Sequence, residues 1–164
     1  VRRVSALGTT TFIGMGTLYF AYGSNMSSSQ LTAWDTPHRA LGPAELPDHR
    51  LAFLRRSIRW RAGAADIVRA KGESVWGVLW ELPCGAAELD VKESAGTGYR
   101  RRSVRVILDG EPVQAMAYEV IEKAPTELEP RREYVQLMMD GAREHGLPDA
   151  WVRRLEAVFP SREG

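Results

Sequence analysis

From Thr17 onward, apolar and polar residues fall into short periodic runs punctuated by glycine, proline or Asp-Gly. The run Leu18-Tyr19-Phe20-Ala21-Tyr22 is aromatic and stopped by Gly23, the form of a buried strand rather than a helix. Beyond it, Ser27-x-x-Gln30 has the form of a capping box and predicts a short helix starting within residues 25–28. Residues 35–63 carry Pro37, Pro43 and Pro47 among apolar pairs, so short extended segments are expected around 39–46 and 50–54. Segments 64–69 and 74–81 read as the two strands of a hairpin that turns at Lys71-Gly72-Glu73. Pro83 ends the second strand, and a helix over 85–92 leaves Glu93 near its end. Gly96 and Gly98 precede a second hairpin, 99–108 and 113–121, joined by Asp109-Gly110. Pro130 suits the first turn of a helix to Glu144, in which Tyr134, Leu137, Met138 and Ala142 recur at helical spacing and Gly146 follows as the C-cap. Pro148 opens a last helix with Trp151, Leu155 and Val158 on one face. Mixed strands with inserted and C-terminal helices make one α+β domain over residues 17–160. Residues 1–16, without clear periodicity or turn code, read as a flexible N-terminal extension, and 161–164 as a tail.

Composition narrows the class. A chain of 164 residues with 44% hydrophobic and 26% charged positions is the size and make-up of one folded domain. Twenty-two Lys and Arg against 21 Asp and Glu leave a net charge of +1, which gives no bulk attraction to nucleic acid or anionic lipid. No apolar run approaches the roughly 20 residues of a membrane span, and the N-terminus lacks a signal-peptide core. The single cysteine, Cys84, rules out an internal disulfide, reads as an inert or surface thiol and suits a reducing compartment, so the cytoplasm is the expected location. His38, His49 and His145 lack metal-ligand spacing, so no metal is expected.

The turn Tyr22-Gly23-Ser24-Asn25 lies between the first strand and the first helix, where free backbone N–H groups and the helix dipole suit a carboxylate or phosphate. Alone, such a turn is as readily structural, with Ser24 or Asn25 as a cap. Its flanks add more. The string Tyr19-Phe20-Ala21-Tyr22-Gly23-Ser24-Asn25-Met26 closely resembles the opening motif of the γ-glutamylcyclotransferase family. The segments Val75-Trp76-Gly77-Val78-Leu79-Trp80 and Leu89-Asp90-Val91-Lys92-Glu93 follow in that family's order, as do Tyr99, Tyr118, Tyr134 and Gly141-Ala142-Arg143-Glu144-His145-Gly146-Leu147-Pro148. The resemblance covers roughly residues 18–160.

It implies a fold built on a mixed β-barrel and an enzyme that closes 5-oxoproline from a γ-glutamyl compound, releasing the amine without a cofactor. In that reading the glutamyl end lies against Tyr19, Phe20, Ala21, Tyr22, Gly23, Ser24 and Asn25, Glu93 is the general acid/base, and Tyr99, Tyr118 and Tyr134 line the pocket. The partner is a small γ-glutamyl molecule, free or carrier-bound, as in glutathione metabolism, with a homodimer left open. Two departures from the family pattern, Ser94 after the acid and Ala62-Gly63-Ala64-Ala65 before the next strand, bear on the pocket rim and substrate choice.

The chemistry stands apart from the name. An α-amine and a γ-amide in one glutamyl unit form a five-membered ring, and holding the bent chain supplies roughly 7–11 kcal/mol of the barrier. The attacking amine is an ammonium at neutral pH and the leaving group is a poor amide nitrogen, so one group must take a proton and return it. A glutamate with a raised pKa does both, whereas a glutamate near a helix end is ordinarily solvated; Glu88 and Asp90 are the local competitors of Glu93. A non-catalytic module that captures a carboxylate at the turn is the alternative from another class, and an RNA-contacting domain using Trp60 and the arginines is a third. Trp76 and Trp80 share one strand face as core or pocket wall. The arginine clusters at 55–61, 100–102 and 131–132 read as solvated faces; any at 55–61 that line the entrance would favour an acidic distal group.

Overall fold

The structure, a computed structural model, describes residues 2–6, 9–13, 16–93, 95–96 and 98–159. Strands β1 (Arg2–Ala6) and β2 (Thr9–Ile13) pair antiparallel with Arg2 opposite Ile13, within the stretch read from sequence as an extension. The tail 161–164 lies outside the described residues, as does Ser94.

Five strands close into a barrel: β3 (Thr17–Ala21), β4 (Arg39–Ser57), β5 (Ala62–Leu82), β6 (Tyr99–Leu108) and β7 (Glu111–Val120). Their order is β3-β5-β4-β6-β7, with antiparallel neighbours except at the seam, where β7 runs parallel to β3 beside Tyr19 and Met116. The architecture is the expected α+β domain on a mixed barrel. Asp109 and Gly110 both take positive φ (50° and 79°), the geometry of a two-residue hairpin turn whose twist matches its strands, and β6 and β7 pair from end to end around it.

The hairpin expected within 64–81 is not formed. Residues 62–82 are one strand, paired along β4 from Arg39–Glu81 to Ser57–Ala62. Gly72 does adopt a left-handed φ of 83°, but it faces Asp48, itself at φ 58°, whose carboxylate accepts the Gly72 N–H at 2.9 Å. The register steps there between Pro47 and His49, so the glycine bends a two-stranded ribbon instead of reversing a chain. The separate segments expected at 39–46 and 50–54 are likewise one strand, bent at the same place. Pro47 sits at that irregularity, where a missing N–H is tolerated.

Gly77 explains its own presence. A Cβ there would stand 2.3 Å from the Ala21 carbonyl oxygen and 2.7 Å from the Phe20 ring, so β3 approaches β5 this closely only over glycine. After β3 the chain makes a 3-10 turn, Ser24–Met26, and enters α1 (Ser28–Ala33). Ser27 is the N-cap residue, yet the reciprocal capping-box bonds are not made: its hydroxyl meets Ser29 Oγ at 2.8 Å, and the buried Gln30 Oε1 finds no partner among the described residues.

Helix α3 (Arg132–Glu144) crosses directly over this turn: a Cβ on Gly141 would lie 2.4 Å from the Met26 carbonyl carbon and 2.6 Å from Ser27 N. Tyr134, Val135, Met138 and Ala142 bury the same face. The helix ends in a Schellman motif, with Leu147 N–H donating to Ala142 O (2.9 Å), Gly146 N–H to Arg143 O (3.3 Å), and Gly146 at φ 70°. Helix α4 (Asp149–Glu156) buries Trp151 and Leu155, and α2 (Ala87–Lys92) delivers Glu93 at its C-cap.

Candidate active site

One cavity of about 370 Å³ opens where the end of β3, the Ser24–Met26 turn, the C-cap of α2 and the tip of the β4–β5 ribbon meet. Tyr19, Tyr22, Gly23, Ser24 and Asn25 line it together with Glu93, Tyr99, Tyr118 and Tyr134. Of the residues expected at the glutamyl end, Phe20 and Ala21 do not line the cavity: both are buried in the core, with Phe20 turned against Gly77 as strand alternation requires.

Asn25 is the junction of the site. Its Nδ2 donates to the Tyr19 hydroxyl (3.0 Å) and to Glu93 Oε1 (3.1 Å), while Lys92 Nζ donates to its Oδ1. An ammonium has no acceptor, so this last contact fixes which end of the amide faces Glu93. From behind, Trp80 Nε1 donates to the Asn25 carbonyl oxygen at 3.1 Å, so Trp80 braces the turn from the core without lining the cavity. His38 and His145 meet the Trp80 ring edge-on, at 5.1 and 4.8 Å between centroids.

The tyrosines are held by fixed hydrogen bonds. Tyr134 Oη accepts the Ala65 N–H at 3.0 Å and Tyr99 Oη donates to the Ala65 carbonyl at 2.9 Å, so one residue of β5 fixes both rings. Tyr118 donates to Asp90 (2.6 Å), whose carboxylate is clamped by Arg101 at 2.9 and 2.7 Å, and Tyr22 donates to the Tyr118 carbonyl. Asp90 is therefore committed to positioning Tyr118, which separates it from Glu93 as a candidate acid. Arg101 beside it holds the Asp90 carboxyl below its ordinary range. Glu88, the other competitor, does not line the cavity.

Burial pushes the Glu93 carboxyl upward, opposed by the Lys92 ammonium, the Asn25 N–H, Arg59 and Arg55. Burial also lowers Lys92, to about 8, with Arg59 acting in the same direction and Glu93 against it. Enclosure raises the Tyr19, Tyr99 and Tyr134 hydroxyls, and Glu93 adds to each, so they remain neutral hydrogen-bonding groups.

Lys92, Ser57 and Ile58 line the cavity with no role assigned from sequence. Lys92 at a helix end reads as solvated, and only its contact with Asn25 places it inside. Ile58 and Trp60 lie at the ribbon tip between β4 and β5, and Trp60 packs edge-on against Tyr134 at 5.4 Å. Of the arginines at 55–61, Arg55 and Arg59 line the cavity and Arg56 and Arg61 do not. Ala64 and Ala65, in the segment that departs from the family pattern, form part of the wall.

Barrel, turn and cavity together define a protein of the AIG2-like class, and residues 74–155 match the AIG2-like family. The chain is 31% identical over 153 residues to the gamma-glutamylcyclotransferase of Mus musculus and to that of Homo sapiens, alignments that cover 88% of this chain and 79% of each relative. A solved structure named gamma-glutamyl cyclotransferase superposes with a TM-score of 0.81 at 28% identity, covering 91% of this chain and 92% of that one. This chain belongs to the γ-glutamylcyclotransferase family.

Proposed function

We propose that the protein cyclises the γ-glutamyl unit of a small γ-glutamyl amide to 5-oxoproline and releases the amine, with Glu93 as the general acid/base. The observation that carries this reading is the enclosed Glu93 carboxyl, hydrogen-bonded to the amide of Asn25 in the turn that follows β3. Glu93 as carboxylate takes a proton from the substrate's α-ammonium, and the freed amine attacks the γ-carbonyl carbon. A C–N bond to the α-nitrogen forms as the carbonyl becomes an oxyanion. When the carbonyl re-forms, the original amide C–N bond breaks and Glu93 returns the first proton to the departing nitrogen; the second proton leaves the ring nitrogen and goes to the released amine, which departs as an ammonium, so no proton or electron is left over.

The first N–H groups of the Ser24–Met26 turn have no partner within it. The Ser24 N–H faces the Tyr134 hydroxyl, which leaves the Asn25 N–H as the donor for the α-carboxylate or for the oxyanion. Tyr19, Tyr22, Tyr99, Tyr118 and Tyr134 shape a walled pocket that favours the bent substrate over the extended one. Raised carboxyl basicity from burial suits Glu93 to both proton transfers.

Release of 5-oxoproline from γ-glutamyl amino acids, γ-glutamyl amines and glutathione, followed by mass spectrometry, tests the reaction. Wild type is expected to form the product and Glu93→Gln to fold normally while losing about 10²–10⁴-fold in kcat. Near-normal turnover by Glu93→Gln removes the acid/base role. Ligand-induced stabilisation of the wild type with no product from any compound favours a module that captures γ-glutamyl compounds without consuming them.

A further inference from the structure

Arg55 and Arg59 line the cavity from the ribbon tip, and among the described residues neither forms a salt bridge. The three consecutive arginines of β6 are committed: Arg100 to Glu119, Arg101 to Asp90, and Arg102 to Glu119. Arg55 is nonetheless held in place. Its guanidinium carbon lies 5.9 Å from the Tyr99 ring centroid, and a Cβ on Gly98 would stand 2.6 Å from its Nη2 and 2.9 Å from its Cζ. Residue 98 must therefore be glycine for the guanidinium to lie where it does. Arg59 rests between two indoles, 5.4 Å from Trp34 and 5.6 Å from Trp60.

The cavity thus carries three cationic side chains, Arg55, Arg59 and Lys92, against the single carboxylate of Glu93, a surplus of two positive charges. The γ-glutamyl head of a substrate bears one ammonium and one carboxylate and has no net charge, so it does not balance that surplus. A leaving group with two carboxylates does.

On the basis of the proposed cyclisation, we propose that Arg55 and Arg59 select γ-glutamyl amides whose amine portion is an acidic amino acid, such as glutamate or aspartate. Planar guanidinium forks match carboxylates in a bidentate manner, and pre-placement by Gly98, Tyr99 and the two indoles reduces the ordering cost of that contact. Lys92 donates to Asn25, which leaves the two arginines for the distal carboxylates.

The test compares γ-glutamylglutamate with γ-glutamylglutamine, which differ by one carboxylate. Wild type is expected to favour the diacid by about tenfold or more in kcat/KM, through KM, as for loss of one charge-assisted contact. In R55Q/R59Q the ratio falls to near one, and in R56Q, which alters an arginine outside the cavity wall, it stays at the wild-type value. A wild-type ratio at or below one, or an equal loss on both substrates in R55Q/R59Q, overturns the proposal. Calorimetry with free L-glutamate and free L-glutamine reads the same selectivity without turnover: tighter glutamate binding that weakens with added salt supports it, and equal binding overturns it. Absence of 5-oxoproline from every γ-glutamyl compound tested refutes the cyclisation alone, and the calorimetric comparison still decides the charge preference.

Discussion

Asn25 has its amide oriented by Lys92 on one side and by Tyr19 and Glu93 on the other, which ties the ionisation of Glu93 to a lysine beside it in sequence. The groups that face Glu93 are Lys92, Asn25, Arg55 and Arg59, together with Tyr19 from β3, Tyr99 from β6 and Tyr134 from α3. In Lys92→Met the nearest cation is gone and the Asn25 amide loses the contact that fixes it, so the Glu93 carboxyl becomes harder to ionise. The acidic limb of kcat/KM moves to higher pH in that variant, measured across pH 4–9; an unmoved limb with a raised KM would mean that Lys92 only binds substrate. The same lysine burdens the fold. Its pKa is about 8 in the folded protein against an ordinary 10.5, so the unfolded chain holds the proton more tightly between those values and the wild type gains stability as pH rises through that window. Lys92→Met lacks that rise and melts at higher temperature than wild type at pH 7, which differential scanning at pH 7 and pH 10 checks.

Helix α3 reaches the site through a backbone contact: Gly141 rests on Met26 and Ser27, one residue past Asn25. Gly141→Ala forces either the helix or the turn to move, at a cost of about 1–3 kcal/mol. A lower melting temperature together with a kcat/KM loss larger than that of other α3 variants of equal stability would trace the effect to the turn. This contact also marks how far sequence reading goes. The strand, Gly23, the turn and the following helix were legible because each is a local pattern, and so was the Asp109-Gly110 hairpin. The resemblance then pointed to Glu93 and three distant tyrosines, which the fold gathers around one cavity with Tyr19, Tyr22 and Asn25. Lys71-Gly72-Glu73 misled because a left-handed glycine serves a bend as well as a reversal, and the choice was made by Asp48, distant in sequence. Lys92 carried no signal of its own, since only Asn25 across the cavity distinguishes it from a solvated helix-end lysine.

Closure of the barrel rests on more than strand pairing. Asp66 of β5 is fully buried, and its carboxylate accepts the Val120 N–H at the end of β7 (3.0 Å) and the Lys123 ammonium (2.7 Å). Lys123→Met leaves that charge buried with its cation removed, and a loss of about 3–5 kcal/mol is expected in urea unfolding; a loss below about 1 kcal/mol would show that the backbone donor suffices.

Strands β4 and β5 run on beyond their pairing with β3 and β6 as a two-stranded ribbon whose tip, from Arg55 to Arg61, borders the cavity while its base is woven into the barrel. Residues at that tip lean on Trp34, Tyr99 and Tyr134 as well as on each other, through Arg59, Arg55 and Trp60, and the register of the barrel strands is fixed many residues away. A tip exchanged between relatives is therefore expected to reset substrate preference only when Trp34, Tyr99 and Tyr134 travel with it, while Asn25 and Glu93 keep their places.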